Sequence, residues 1–249
     1  MGGIFMGNEQ RQEIQEQRTE YSKLFVNEDH SFTREIYLDA IHYQDDDGKW
    51  EEMDDSLTEE QESVDENVGD STAENTVSLT AENGETDFGN KKGNWKVKFY
   101  KHSRKQGTIS VRKERCMITW ALENSAKVTA IEKDNEVLYP DILPGVDDHL
   151  YIKGMTVKEN LILKSSEAGA VFDFAYHTKK LHPVEVDHSI CFINDEEEEV
   201  FVVTAPYMKD ASGARSERIS LSLIDEGKKD RCKIRFSADE HWLKAAERV

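Results

Sequence analysis

The sequence predicts an all-β protein, antiparallel and sandwich-like, and three observations predict it. Apolar residues recur with period two between residues 21 and 237, turn signals separate the runs every 8 to 12 residues or so, and helix-forming composition is confined to residues 238–248.

Taken in order, residues 1–20 read as a lead-in, because 9–20 is rich in Gln, Glu and Arg with little apolar periodicity. A first β lobe is expected over 21–125. It opens with Lys23-Leu24-Phe25-Val26, turns through 27–30 and continues over 32–43. Asp45-Asp46-Asp47-Gly48 then reverses the chain before Trp50, since Asp-Gly supplies positive φ between apolar runs. An acidic insertion follows at 58–93. Ordering it costs about 1 to 2 kcal/mol per residue in backbone entropy. Its larger apolar residues, Val64, Val68, Val77, Leu79 and Phe88, each return about 1.5 to 3 kcal/mol on burial, too little to close that gap. The insertion is therefore expected to be a mobile loop extended by its own charge, in which only 77–80 docks as a strand.

Strands resume at Trp95-Lys96-Val97-Lys98-Phe99 and follow at 108–112 and 116–122, the last with Cys116, Ile118, Trp120 and Leu122 on one face. A second β lobe is expected over 126–249. Its strands fall at 127–131, 150–152, 157–163, 171–176, 189–193, 200–204, 219–223 and 232–237, before one or two helical turns within 238–248.

Charge is distributed unevenly. The formal net charge is -19, from 51 acidic and 32 basic residues. Residues 45–87 hold 17 of the acids against Lys49 alone, leaving 34 acids and 31 bases elsewhere. With no basic face to neutralise phosphates, nucleic acid is not expected as a partner. Lys101, His102, Arg104 and Lys105 read as a solvated loop. Cys116, Cys191 and Cys232 are odd in number, lack a CxxC pair and lie in apolar runs, so buried free thiols are expected rather than a disulfide framework. The absence of an 18-residue apolar run argues against a membrane span. Residues 1–7 lack the basic and apolar regions of a signal peptide, which places any export signal outside this chain.

Signals of chemistry are sparse. GxGxxG, GxSxG and HExxH are absent, and a non-catalytic protein without cofactor or metal is expected. Asp45, Asp47 and Gly48 imitate part of an EF-hand loop, but the register would make Tyr43 the first ligand and Asp54 the twelfth. His182 and His188 have no third ligand placed by sequence, and Pro183 interrupts their strand. Trp50, Trp95 and Tyr100 are candidates for a glycan-stacking platform, although alternation favours core positions for them. The most distinctive segment is Tyr139-Pro140-Asp141-Ile142-Leu143-Pro144-Gly145-Val146-Asp147. Tyr139, Pro140, Asp141, Pro144, Gly145 and Asp147 are read as a structural corner, its two carboxylates accepting backbone N–H groups, with cation binding as the alternative use.

This corner, followed by Gly154-Met155-Thr156-Val157-Lys158-Glu159-Asn160-Leu161-Ile162-Leu163, resembles the N-terminal region of large Gram-positive surface proteins that carry DNRLRE modules and often YD (Rhs) repeats. Three more stretches are similar to that family in the same order. They are Arg18-Thr19-Glu20-Tyr21-Ser22-Lys23-Leu24-Phe25 with Ile41-His42-Tyr43-Gln44-Asp45-Asp46-Asp47-Gly48-Lys49-Trp50, then Ala205-Pro206-Tyr207-Met208-Lys209-Asp210-Ala211-Ser212-Gly213, and finally 236–249. The likeness spans 11–249 apart from the acidic stretch. It implies a structural or adhesive module of a secreted, cell-surface multidomain protein, with downstream modules of the same polypeptide as partners and wall polymer or glycan as further ones. The alternatives are a glycan-binding or carbohydrate-active domain and the packaging segment of a YD-repeat contact-dependent toxin. Two departures stand out. Asp148-His149 occupies a place the family usually gives to an apolar residue, so the following strand is expected to begin later. The chain also ends at Arg248-Val249 where the family continues, which implies a fragment.

Overall fold

The computed structural model describes residues 11–45, 47–60, 86–104, 107–165 and 167–246. Strands β1 (Gln12–Glu13), β2 (Ser22–Val26) and β3 (Phe32–Ile36) form an antiparallel sheet, and β4 (His42–Gln44) pairs with β5 (Trp50–Glu52). The expected hairpin forms because Asp45 Oδ1 accepts the N–H groups of Asp47 (3.1 Å) and Lys49 (2.8 Å), while Gly48 takes φ 76°.

The meander continues through β6 (Asp54–Glu60), β7 (Asp87–Lys92), β8 (Lys96–Arg104), β9 (Gly107–Lys113) and β10 (Cys116–Leu122). A second meander comprises β11 (Ile131–Lys133), β12 (Glu136–Leu143), β13 (Val146–Lys153) and β14 (Thr156–Leu163). Then come β15 (Val171–Lys179), the group β16 (His182–Val186), β17 (Ser189–Ile193) and β18 (Glu199–Val203), the short pair β19 (Met208–Lys209) and β20 (Arg215–Ser216), and the hairpin β21 (Ile219–Lys228) and β22 (Arg231–Ala238). Helix α1 (Glu240–Ala245) closes the described chain, and the Asp239 carboxylate caps it by accepting Trp242 N–H at 2.8 Å.

The eight-stranded sheet runs β21-β22-β15-β10-β9-β8-β7-β6 and so draws strands from both sides of residue 125. On its inner face Val97, Phe99, Ile109, Val111 and Trp120 share one apolar cluster with Val137, Tyr139, Leu150 and Ile152 of the β11–β14 sheet. Tyr176 extends the cluster to Phe192 of β17, with ring centroids 5.5 Å apart. The expected all-β, antiparallel sandwich is present, without a closed barrel.

Several local expectations change. Both flanks of the presumed acidic loop are strands: 58–60 belongs to β6, and β7 pairs with β6 and β8. Polar residues satisfied inside the protein hold them. Asp87 accepts Lys101 N–H at 2.9 Å, and buried Asn90 accepts Val97 N–H at 2.8 Å while donating to Trp95 O at 3.1 Å. The interior of that stretch, including the expected strand at 77–80, lies outside the described residues. Lys101, His102 and Arg104 lie on β8 rather than in a loop, with Arg104 over the Tyr100 ring at 5.2 Å. The strand expected at 127–131 gives way to a segment held by Ser103, whose hydroxyl donates to Ala126 O at 2.6 Å and accepts Val128 N–H at 2.8 Å. Pro183 does not interrupt its strand, because β16 lies at the edge of its three-stranded sheet, where a missing N–H is tolerated. Nor does β13 begin late: it starts at Val146 and runs through Asp148.

Candidate functional site

The corner read from sequence is the β12–β13 hairpin. Leu143 pairs with Val146 across Pro144-Gly145, and proline before a glycine at φ 71° is the residue order of a type II turn. The pairing register shifts between Tyr139 and Leu143, with Asp141 at φ 48°, so Pro140 and Asp141 form a bulge. From Tyr139 to Leu143 the strand advances four residues against two on β13, and within this irregular stretch both Tyr139 and Ile142 are fully buried. Tyr139 Oη donates into a pair of carbonyls, 2.6 Å from Tyr100 O and 3.0 Å from Thr108 O. Asp141 N–H donates to Asp147 Oδ1 at 2.7 Å, and Lys164 Nζ bridges Asp147 (2.6 Å) and Asp141 (2.8 Å). Partial burial pushes the Asp147 carboxyl up, but these donors outweigh it and hold the group below its ordinary range.

Beneath this corner the same alternation brings two carboxyl groups inside. On β13, Val146, Asp148, Leu150 and Ile152 are buried in alternation, and on β14 Val157, Glu159, Leu161 and Leu163 share the inward phase. The register pairs Asp148 with Leu161 and Leu150 with Glu159, so the two acids are diagonal neighbours on one face. Asp148 is 0% exposed, and among the described residues neither of its oxygens has a conventional donor. The residue Glu159 is only part-buried, but its carboxyl lies inside, where Trp120 Nε1–H donates to Oε2 at 3.0 Å.

Desolvation drives the electrostatics here. Burial raises Glu159 to about 7, against the opposing hydrogen bonds from Trp120 and Asp148. Burial, and then the negative charge of Glu159, raises Asp148 well above the ordinary carboxyl range. Neighbouring buried carboxyl groups oppose each other's ionisation, so both are pushed toward the protonated form. The hydroxyls of Tyr139 and Tyr176 are likewise pushed up, first by burial and then by neighbouring groups that include Asp148 and Glu159. Chemically, the arrangement can hold a proton and pass it between two oxygens in a dry setting. Sequence reasoning missed it because 51 carboxylates gave no reason to prefer any two. The available signal was a carboxylate at the apolar phase of two successive strands.

A second polar cluster fastens the N-terminal sheets. Ligand atoms of Glu13, His42 and Glu52 lie within 4.8 Å of one another, a spacing that suits a cation. His42 is fully buried; Nδ1–H donates to Thr19 O at 2.7 Å, and Nε2 has no partner among the described residues. Two side-chain cations already serve the carboxylates. Arg18 grips both oxygens of Glu13, each at 2.8 Å, and Lys23 pairs with Glu52. Their charge opposes entry of a metal ion, so the group functions as an ion-pair knot. It joins the two family-like stretches at 18–25 and 41–50.

The other candidates are dispersed. Trp95 and Tyr100 are each 6% exposed, inside the protein, whereas Trp50 is half-buried at the start of β5; the three do not form one exposed platform. Asp187 and His188, at φ 48° and 77°, make the two-residue turn between β16 and β17, so His182 and His188 do not share a strand face. All three cysteines are buried and none is in a disulfide. Burial raises the Cys116 thiol, and a hydrogen bond with Glu199, then burial, raises that of Cys191. Among the described residues no helix is long and apolar enough to cross a membrane.

No protein-family model and no solved structure matches the chain. Curated relatives do match it. A tRNA(Glu)-specific nuclease WapA of Bacillus subtilis subsp. natto and a tRNA nuclease WapA of Bacillus subtilis strain 168 are each 29% identical over 246 residues, 95% of this chain and 10% of theirs. A wall-associated protein of Geobacillus stearothermophilus is 29% identical over 203 residues, 80% of this chain and 75% of that protein. The nuclease relatives overturn two expectations from sequence, that the protein is non-catalytic and that nucleic acid is no partner. Both rested on the motifs and charge balance of one stretch, and this chain spans only about a tenth of the length of those nucleases. Along nearly its whole length, the chain is similar to wall-associated proteins of the WapA type.

Proposed function

We propose that the chain is the packaging segment of a wall-associated, contact-dependent toxin whose complete polypeptide cleaves tRNA. The alignment of 95% of this chain with tRNA nucleases carries the reading, and the relative named as wall-associated supports a place at the cell surface. The architecture suits that role. An apolar core continuous through the eight-stranded sheet, the β11–β14 sheet and β17 makes a self-supporting unit from which DNRLRE modules and YD repeats are presented downstream.

The test uses the product of the complete reading frame. It is expected in the wall fraction and is expected to cleave tRNA, and deletion of residues 11–246 should abolish delivery to neighbouring cells. A product confined to the cytosol, or one that leaves all tRNA intact, refutes the proposal. The same assay on this chain alone locates the activity within the polypeptide.

A further inference from the structure

We propose that Asp148 and Glu159 form a proton-held latch between the β11–β14 sheet and the eight-stranded sheet, closed while the pair carries a proton and released as protons leave to solvent. The inference is independent of the toxin reading.

Four observations support it. The pair lies on the inner face of β13 and β14, among Val146, Leu150, Ile152 and Leu161, where apolar side chains otherwise make the contact between layers. The opposing layer contributes the Trp120 Nε1–H donor to Glu159, which ties the pair to that layer; the bond favours the ionised carboxyl, and burial outweighs it. Among the described residues neither oxygen of Asp148 has a conventional donor, as expected where the partner is another carboxyl and the link between them is a proton. Among the described residues no lysine, arginine or histidine acts on the pair; the groups coupled to it are Trp120 of β10, Tyr139 of β12 and Tyr176 of β15. His149, the neighbour of Asp148 in sequence, faces the other way and pairs with Glu136 at 3.1 Å.

The direction of the response follows from the shifts. Glu159 is raised in the folded protein from 4.5 to about 7, so the folded state binds more protons through that window. Folding is therefore most favourable at the acid end, and its advantage is lost as pH rises through about 7. Asp148, raised further by burial and by Glu159, steepens the loss. The depressed carboxyls, such as Asp147 and Asp173, titrate below this range and leave it undisturbed.

Equilibrium urea unfolding and amide hydrogen exchange, corrected for intrinsic pH dependence, test the latch between about pH 5 and about pH 8.5. The folding constant of the protein is expected to fall on the order of 10²-fold across that range, with opening concentrated in β12, β13 and β14. The double variant Asp148→Asn/Glu159→Gln, which cannot ionise at these positions, should lose most of this dependence. The infrared band of a protonated carboxyl in the unmodified protein gives a readout that needs no variant, and it should persist at neutral pH. A flat pH profile, a double variant with the unmodified protein's profile, or absence of that band above about pH 5 overturns the proposal.

Discussion

Replacing Arg18 with alanine should release the N-terminal sheets while leaving the main sandwich folded. The guanidinium is 7% exposed and binds Glu13 through two parallel hydrogen bonds of 2.8 Å, with Glu52 at 3.4 Å and the Trp50 carbonyl at 3.5 Å. Removing one partner of a fully buried pair costs about 3 to 5 kcal/mol, because the other charge remains without compensation. The Glu13 side chain is 18% exposed and regains some water, which puts the cost near the lower end, about 3 kcal/mol. At 1.36 kcal/mol per decade that is roughly 150-fold in the opening equilibrium. Amide exchange in β2 and β4 should accelerate by about that factor, whereas β9 and β10 should change little. Arg18→Lys keeps the charge but loses the planar fork, and should fall between the two. The hydrogen bond from Arg18 holds Glu13 below its ordinary value, so the native advantage exists above that ordinary value and fades as pH falls through the depressed one. The two proteins should accordingly converge in acid. A cost below about 1 kcal/mol, or one spread evenly over all strands, would refute the reasoning.

Three further outcomes can be checked directly. Tyr139→Phe leaves the carbonyls of Tyr100 and Thr108 without their buried donor and should cost about 1 to 3 kcal/mol in urea unfolding, with the fold retained. Gly107→Ala would place a Cβ 2.2 Å from Thr119 Cγ2; a loss of about 1 to 3 kcal/mol is expected, recovered largely by adding Thr119→Ser, which removes that methyl. Thiol reagents should modify Cys116, Cys191 and Cys232 slowly at neutral pH and rapidly in denaturant, since all three are buried and the first two have raised thiols; fast labelling of the native protein would contradict their placement.

Legibility in the sequence followed the length scale of the interactions. The hairpin at Asp45 to Gly48, the strands at 96–99, 116–122 and 157–163, and the short terminal helix are local patterns, and each has its counterpart in β5, β8, β10, β14 and α1. The flanks of the acidic stretch were misread because composition cannot show that Asp87 and Asn90 find buried backbone partners. The corner at Tyr139 to Asp147 was visible as a cluster of prolines, a glycine and aspartates, but not as a bulged hairpin tied down by Lys164, some twenty positions farther along the chain.

By itself the sequence determined the antiparallel all-β class, because a period of two, repeated between turn signals, leaves the chain few other ways to bury its apolar side chains. It also set the phase within clear runs such as 96–99 and 116–122, but the inward direction of Asp148 and Glu159 was not read from it. Only the tertiary structure decided which strands became neighbours. That choice placed the two carboxyls diagonally across β13 and β14 beneath Trp120, and closed Arg18 onto Glu13 and Glu52. The physical reason is that alternation fixes the side of a sheet a residue faces, whereas register and the packing of one sheet on another fix its partners. Electrostatics depends on partners and on water, so the chemistry of these groups appears only after folding.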